Sequence, residues 1–413
     1  MYNTLTKLIR FANLEIGSSH QRVDVDIDML SADFHVLTTG GGSGNGYDDI
    51  WSQTYLRSGE HTLPDCTYPS DELHLPASLR HAEPSQLLVN TTLLSFIHCR
   101  PSKASLDTLD PSGGLLGLAP SESLAHADKP SLLDQLLDAG IIDQKIWGLL
   151  IIDGKSGMLS LGDTGMSIAE DVKVGIETRL KGLAGGIKGS HPKRRTPDLH
   201  GKDASNPEDA DEMQKPITWR DDWRWAPLQS AKGWWQVLLR GIWVNGAKVL
   251  RDQPAIIDLT TPFILAPPAA ARAFYALVPG SQHLPPPNSA FHIFPCLNPP
   301  HIHLETGGWN FPVMQGGARG KGMHNHPGGA FSLGRLEPGS GYCVGAVVET
   351  MLGYDKTVAR DNGLSDASET VVGEAAELVG HGMEGVWVLG EPAFRGLAMV
   401  FDGPGQMVGF RSV

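Results

Sequence analysis

The segment Ala255–Pro267 reads AIIDLTTPFILAP and places one carboxylate inside an otherwise apolar strand. Asp258 follows three apolar residues, and burying a lone acid at such a position is costly unless another group pairs with it. One interpretation is an Asx-turn, in which the side chain bonds the backbone at the end of the strand. The other is a catalytic carboxylate, because a second strand far upstream ends in the same way.

That second segment is Val23–Val36, VDVDIDMLSADFHV, in which alternating apolar residues lead to Asp28. The two acids therefore fall at the ends of two strands, one in each half of the chain. Two carboxylates that meet in this way can share a single proton, which provides a general acid and a general base together. We predict that Asp28 and Asp258 form a catalytic dyad.

Composition limits the partners that the chain can take. Its 413 residues carry a formal net charge of −13, so nucleic acid and anionic membrane surfaces are not expected partners. No apolar run is long enough to span a bilayer. Residues 1–17 contain no long apolar run or small-residue cleavage site, so we expect no signal peptide there, and the localisation stays open.

The chain is rich in glycine (49) and proline (29), and short β-type runs alternate with turn signals. This pattern predicts a mostly β protein with few helices. One helix is predicted over Ser131–Ile142, with a serine N-cap and a stop at Gly140, and another over Pro268–Leu277. The apolar segment Gly233–Gly246 is interpreted as two strands.

A polar segment at residues 181–222 has too few apolar residues to order itself, which predicts a disordered insertion. It would separate an N-terminal lobe, residues 1–180, from a C-terminal lobe, residues 223–413. A second, surface insertion is predicted at 355–384. Several tryptophans close to the first insertion are expected to seal the lobes together by aromatic packing. They are Trp219, Trp223, Trp225, Trp234, Trp235 and Trp243.

The cysteines and histidines show no pattern typical of a metal site. Two histidine pairs, His301/His303 and His324/His326, have no acidic or cysteine ligand at a suitable spacing, so no metal is predicted. The cysteines include no CxxC, and their even number permits two disulfides. They are Cys66, Cys99, Cys296 and Cys343.

Short motifs occur in a similar order in the two halves of the chain. The first half has an opening strand and turn, an Asp-x-x-Ser loop and an apolar-apolar-Gly strand, and the second half has an aromatic strand, an Asp-x-Thr-Thr loop and the same apolar-apolar-Gly strand. In order, these are Leu14–Gln21, Asp28–Ser31, Leu115–Gly117, Trp234–Leu239, Ala255–Thr261 and Val388–Gly390. Outside the two insertions, nearly the whole chain resembles the pepsin-like aspartic peptidases of a fungal type.

This resemblance implies a mostly β, bilobal fold in which two β-barrel-like lobes enclose a cleft. It implies that Asp28 and Asp258 are the catalytic pair and that no cofactor is required. It also implies a disulfide between Cys296 and Cys343, while the pairing of Cys66 with Cys99 stays open. The family is usually secreted or vacuolar. We expect a monomer that takes a peptide or a hydrophobic small molecule in its cleft.

The chain departs from the family directly after each aspartate, where the family has Thr and then Gly. That threonine locks the two loops together, and that glycine lets the backbone approach the carboxylates. Ser31 and Thr261 keep a hydroxyl and are predicted to support the two acids. No flap tyrosine is assigned, because Tyr68 lies outside a glycine-rich hairpin. The residues at the altered positions are expected to line the substrate cleft: Met29, Leu30, Leu259 and Thr260.

Three functions fit this pattern. The first is a repurposed enzyme, for example of specialised metabolism, that acts on a hydrophobic small molecule by acid/base chemistry, since the altered cleft floor is more apolar. The second is an active aspartic-type endopeptidase that hydrolyses peptide bonds with dyad-activated water. The third is a pseudopeptidase that binds extended peptides without cleaving them. Whether peptidase activity survives is left open by the sequence.

Overall fold

The computed structural model describes a set of ranges with gaps between them: residues 10–38, 46–57, 66–77, 88–100, 113–120, 130–151, 157–162, 223–229, 234–307, 309–313, 331–350, 385–395 and 397–412. Both predicted insertions, 181–222 and 355–384, lie outside these ranges, as do Trp219, His324 and His326. The predicted domain boundaries therefore stay predictions.

The described part of the first half contains mostly strands. Helix α1 follows strand β8 and precedes strand β9. In chain order the elements are β1 (Arg10–Ile16), β2 (Gln21–Asp28), β3 (Phe34–Leu37), β4 (Cys66–Thr67), β5 (Ser70–Ala77), β6 (Leu88–Ser95), β7 (Ile97–Cys99), β8 (Gly114–Gly117), α1 (Leu132–Asp138), β9 (Ile146–Ile151) and β10 (Gly157–Leu161).

The second half continues in the same manner, with helix α2 after strand β15. Its elements are β11 (Arg224–Pro227), β12 (Gln236–Val244), β13 (Ala247–Leu250), β14 (Gln253–Ile257), β15 (Ile264–Ala266), α2 (Pro268–Tyr275), β16 (Gln282–His283), β17 (His292–Pro295), β18 (Ile302–Thr306), β19 (Trp309–Pro312), β20 (Ser332–Arg335), β21 (Tyr342–Gly345), β22 (Val347–Glu349), β23 (Trp387–Leu389), β24 (Leu397–Asp402) and β25 (Met407–Ser412). The prediction of a mostly β fold is confirmed.

The strands form sheets that curl into two lobes, as expected for a bilobal pepsin-like fold. One sheet draws only on the first half, in the order β4-β7-β3-β8-β2-β1-β5-β6. Two sheets draw only on the second half, in the orders β19-β18-β12-β14-β23-β15-β22 and β16-β17-β21-β20. A further sheet, β10-β9-β24-β25-β11, combines strands of both halves.

Each lobe contains the same three-strand unit, and this unit carries the aspartate. In the first lobe, β2 pairs in parallel with β8, so that Asp28 lies opposite Gly117, and β3 pairs with the other edge of β8. In the second lobe, β14 pairs in parallel with β23, so that Ile257 lies opposite Leu389, and β15 pairs with the other edge of β23. The two motif series in the sequence therefore fold in the same way.

The glycine at the end of each apolar-apolar-Gly strand is required by the close approach of a neighbouring backbone. A β carbon on Gly117 would lie 2.3 Å from the carbonyl oxygen of Asp33. A β carbon on Gly390 would lie 2.1 Å from the carbonyl oxygen of Thr261. Since both distances are far inside van der Waals contact, no larger residue fits beside either aspartate loop without backbone movement.

Tryptophans pack the two lobes against each other, as the sequence predicted for Trp235. Its indole nitrogen donates a hydrogen bond of 2.8 Å to the carbonyl oxygen of Leu118 in the first lobe. Its ring meets that of Trp147 edge to face, with centroids 6.1 Å apart, and Trp147 stacks on Phe401 at 3.9 Å. Trp235, Trp147 and Phe401 all belong to one continuous core that spans both halves.

The helices begin and end close to the predicted residues. The Ser131 hydroxyl accepts the Asp134 amide at 3.2 Å while the Asp134 carboxylate accepts the Ser131 amide, which is a capping box. Beyond the end of α1, Gly140 has a φ of +68°. Within the described ranges, neither helix is long and apolar enough to cross a membrane.

The prediction of two strands over Gly233–Gly246 is wrong. The structure has one strand there, β12, whose pairing register with β18 shifts between Leu239 and Gly241. Gly241 therefore marks a β-bulge inside a continuous strand.

Two disulfides are present. Cys296 bonds Cys343, which confirms the pairing that the family resemblance implied. Cys66 bonds Cys99 across the β4–β7 pair, which settles the pairing that the sequence left open.

We predict that Gly390→Ala destabilises the protein strongly, by about 3 kcal/mol or more, because the added methyl group would lie 2.0 and 2.1 Å from the backbone oxygens of Phe263 and Thr261. Gly341→Ala is the matched control, since nothing lies within 4 Å of the β carbon at that position and its φ is not positive. Thermal unfolding of the two variants measures the difference. Equal melting temperatures would contradict the close approach described for Gly390.

Candidate active site

Asp28 lies at the end of β2 and is half-buried. Its Oδ1 atom accepts two backbone amides, from Leu30 at 2.8 Å and from Ser31 at 3.1 Å. Its own carbonyl oxygen accepts the amide of Leu118, which fixes the start of the loop against the strand β8. The carboxylate is thus held by the loop that follows it.

Asp258 occupies the matching place after β14 and is 5% exposed. Its Oδ1 accepts the Thr260 amide at 3.0 Å and also the Thr260 hydroxyl. Its Oδ2 accepts the Thr261 hydroxyl at 2.5 Å. The Asx-turn interpretation of this residue is therefore correct for one oxygen, while the other oxygen is held by a side chain.

The two carboxylates interact electrostatically across the lobes. Burial raises the pKa of Asp28 above its usual range, the amides of Leu30 and Ser31 oppose that rise, and the negative charges of Asp258 and Asp33 add to it. A carboxyl group with a raised pKa tends to keep its proton. The environment of Asp28 therefore favours its protonated form.

A second contact places the Asp28 loop against the other half of the chain. The side chain of Leu30 packs on an apolar cluster formed by Trp234, Ile256 and Val386, all of which belong to the second half. Ile256 lies two residues before Asp258, so the loop of one aspartate touches the strand of the other.

The residues that replace the family's threonines point into the core. Met29 is 0% and Leu259 is 1% exposed, and both belong to the same continuous apolar core. Four residues were expected to line the cleft. Among them, Leu30 and Thr260 have partly exposed side chains, whereas Met29 and Leu259 are buried. Apolar packing occupies the place where the family has a hydrogen-bonded lock.

The residues that replace the family's glycines keep their amide bonds to the carboxylates. Neither Leu30 nor Thr260 needs a left-handed backbone, because the described non-glycine residues with positive φ lie elsewhere. Those residues are His20, Asn245, Asp252 and Gln406. Side chains at both positions are thus compatible with a loop that still supports its aspartate.

The two predicted supporting residues act in different ways. Thr261 donates its hydroxyl directly to Asp258. Ser31 instead contributes its backbone amide to Asp28, while its hydroxyl accepts the Asp33 amide at 3.0 Å. Asp258 therefore has the larger number of side-chain donors.

Sequence reasoning did not single out Asp33, which is 7% exposed and raises the pKa of Asp28 through its charge. Burial raises the pKa of the Tyr68 hydroxyl, and the charge of Asp33 adds to that rise. The sequence pattern Ser31-x-Asp33 is typical of a turn capped by a serine hydroxyl, and it was the signal by which Asp33 could have been found.

The β5–β6 hairpin of the first lobe is anchored at its base by a buried acid. Asp71 is 0% exposed and accepts the hydroxyl of Tyr47 and, at 2.6 Å, the hydroxyl of Thr54. The two strands of the hairpin pair antiparallel, from Ser70 opposite Ser95 to Ala77 opposite Leu88. The residues between the two strands lie outside the described ranges.

Comparison with known proteins bears on the family of this chain. No model of a known protein family matches the chain. An aspartic protease of Phaffia rhodozyma is 28% identical to it over 184 residues, which are 43% of this chain and 34% of that protein. Over less than half of its length, this chain is therefore similar to an aspartic protease. It spans about a third of the length of this relative.

We predict that Asp28→Asn makes the protein more stable at neutral pH, by about 1–3 °C in melting temperature. Because the pKa of Asp28 is raised in the folded state, the folded protein keeps this proton at pH values at which the unfolded chain has already lost it. Stability is therefore lost as pH rises through the folded pKa, and the neutral amide removes that loss.

Melting curves between pH 3 and 7, pH values chosen around the usual aspartate pKa of about 3.9, test this expectation. Wild type and Asp28→Asn should converge at the acid end and separate towards neutral pH. Asp143→Asn, a substitution at an exposed aspartate, is the control. A variant that is less stable than wild type at neutral pH would contradict the raised pKa.

Proposed function

We propose that this protein is an aspartic-type endopeptidase in which Asp28 and Asp258 share one proton and activate a water molecule. The observation that carries the proposal is the matched placement of the two acids: each follows a strand that pairs in parallel with an apolar-apolar-Gly strand, and each is held by the loop that follows it. The charge of Asp258 also adds to the raised pKa of Asp28. Two carboxylates that repel in this way cannot both ionise easily.

The roles follow from the hydrogen bonds that each acid makes. Asp28 holds the proton, since its pKa is raised and no described donor reaches its Oδ2. Asp258 is the base, and the hydroxyls of Thr260 and Thr261 orient its two oxygens. An Asp258 oxygen takes one proton from a water molecule, whose oxygen forms a bond to the carbonyl carbon of the peptide.

The proton on Asp28 stabilises the oxygen that becomes negative as the carbonyl is attacked. The tetrahedral intermediate then breaks at its carbon–nitrogen bond, and the amine nitrogen takes the proton that Asp258 removed from water. A carboxylic acid and an amine are the products. No group of the protein becomes covalently attached.

The aspartic protease from Phaffia rhodozyma supports a peptide as the substrate class. The β5–β6 hairpin and the partly exposed Leu30 are the features of the first lobe that would meet an extended chain beside Asp28. Such a chain would lie between the proposed lobes 1–180 and 223–413.

A second candidate is a repurposed enzyme that acts on a hydrophobic small molecule. Leu30 favours it, because an apolar side chain stands where the family has glycine, directly beside the proton-carrying acid. With this substrate class, the same two acids would act as general acid and base. A role in specialised metabolism would follow only from this candidate.

The proposed peptidase predicts that the purified protein cleaves denatured protein at pH about 3–5, where one carboxyl of the pair is protonated. Asp28→Asn and Asp258→Asn should each abolish cleavage, whereas Asp143→Asn should retain it. Gel analysis of the digest measures all four proteins. Absence of cleavage by the wild type across this range would refute the peptidase and leave the small-molecule enzyme or a peptide-binding module.

Those two remaining functions differ in the role of the acids. A binding module would hold an extended peptide with similar affinity in wild type and in Asp258→Asn, as fluorescence anisotropy would show. An enzyme that acts on a small molecule would lose its reaction in one of the aspartate variants.

We predict that Thr261→Val lowers kcat of the peptidase about 10–100-fold, because the isosteric change leaves Asp258 Oδ2 without its hydroxyl donor. Thr261→Ser keeps the hydroxyl and should retain most of the activity. Initial rates at saturating substrate distinguish the two variants. Equal activity of Thr261→Val and wild type would show that this hydrogen bond does not orient the base.

A further inference from the structure

Two histidines and a glutamate meet on the second lobe, at a place that the predicted histidine pairs did not include. His283 and His292 lie directly opposite each other in the β16–β17 pair, with ring centroids 4.7 Å apart. Glu349 is the last residue of β22 and brings its carboxylate to the same point. The candidate ligand atoms of all three residues lie within 4.8 Å of one another.

The spacing of these atoms fits a small tetrahedral cation. Glu349 Oε1 lies 2.9 Å from Nε2 of His292 and 3.5 Å from Nε2 of His283. Ligands bound to zinc at about 2.0–2.1 Å in tetrahedral geometry are separated by about 3.3–3.4 Å. Small side-chain rotations would therefore suffice to place one ion between the three groups.

The frame around the cluster is rigid. His292 is 4% exposed, and its ring stacks on Tyr275 with centroids 4.1 Å apart. Tyr275 in turn donates its hydroxyl to the carbonyl oxygen of Val347 in β22. The Glu349 amide donates to the carbonyl oxygen of Ala290, which ties β22 to the segment that leads into β17. Ligands held by packed strands in this way lose little entropy on binding.

Glu349 already has a cationic neighbour besides the two histidines. Its side chain is 8% exposed. The exposed Arg272 of helix α2 contacts both carboxylate oxygens, at 3.1 and 3.0 Å. Arg272 thus competes with any cation for Glu349, and its exposure leaves it free to swing into solvent.

We propose that His283, His292 and Glu349 form a binding site for a divalent transition metal, with Zn²⁺ as the best match. Two imidazole nitrogens and one carboxylate are a donor set that zinc accepts, and His283, which is 41% exposed, leaves the fourth position open to water. The ion would join the β16–β17 hairpin to β22 and stabilise the second lobe. The site is independent of the proposed dyad.

Calorimetric titration of the full chain, free of any histidine tag and treated with a chelator beforehand, tests the site with Zn²⁺. We expect one saturable equivalent. Zinc at a hundredfold excess over its Kd should raise the melting temperature by about 3 °C. Substitution of Co²⁺ should give the visible absorption of a tetrahedral site.

The variants decide between a metal site and a purely internal ion pair. His283→Ala changes an exposed side chain and should weaken zinc binding at least about tenfold, and Glu349→Gln should do the same. Arg272→Gln should tighten binding, since it removes the competing cation. His303→Ala, at an exposed histidine on β18, is the control and should leave the affinity unchanged.

Three results would overturn the proposal. They are the absence of a saturable zinc site in the wild type, binding that is undiminished in both His283→Ala and Glu349→Gln, and weaker rather than tighter binding in Arg272→Gln. Asp258→Asn should bind zinc like the wild type, so loss of the peptidase and loss of the metal site are separate outcomes.

Discussion

The withdrawal of two carboxylates from water is the constraint on which this structure depends. An ionised acid that is moved into a protein interior must recover the lost hydration through hydrogen bonds. Asp28 and Asp258 each recover part of it by the same device, a loop whose amide two residues on turns back to the carboxylate. That loop in turn needs a parallel neighbouring strand, which is why each acid lies beside an apolar-apolar-Gly strand.

The two halves solve the problem of holding these loops together without the family's threonine pair. Met29 and Leu259 lie in one shared apolar core, and Leu30 adds a contact to the second half. Apolar packing is less directional than a hydrogen bond, but burial of both side chains in one core favours keeping the two loops together. The altered triplets are therefore consistent with a preserved pair of acids.

Local patterns predicted much of this fold. The Ser131 cap, the Gly140 stop and the glycines of both apolar-apolar-Gly strands are short-range signals, and the structure follows them. The bulge at Gly241 was misread because a glycine in a strand has the same sequence signature as a turn. The sequence also did not predict that the Met29 side chain is buried, because that depends on which side of the loop faces the core. His283 and His292 lie on consecutive strands, but Glu349 reaches them from β22, far along the chain, so no spacing rule could find the three together.

The shared sheet has a consequence for how the chain reaches this structure. Strand β9 pairs with β24, which is synthesised about 250 residues later. Until β24 exists, an edge of β9 has no permanent neighbour, and exposed edges of this kind attract other chains. The first lobe therefore cannot be completed as an independent unit during synthesis. Assembly of this sheet must wait for β24 to emerge, and a chaperone that shields the β9 edge would be of most use in that interval.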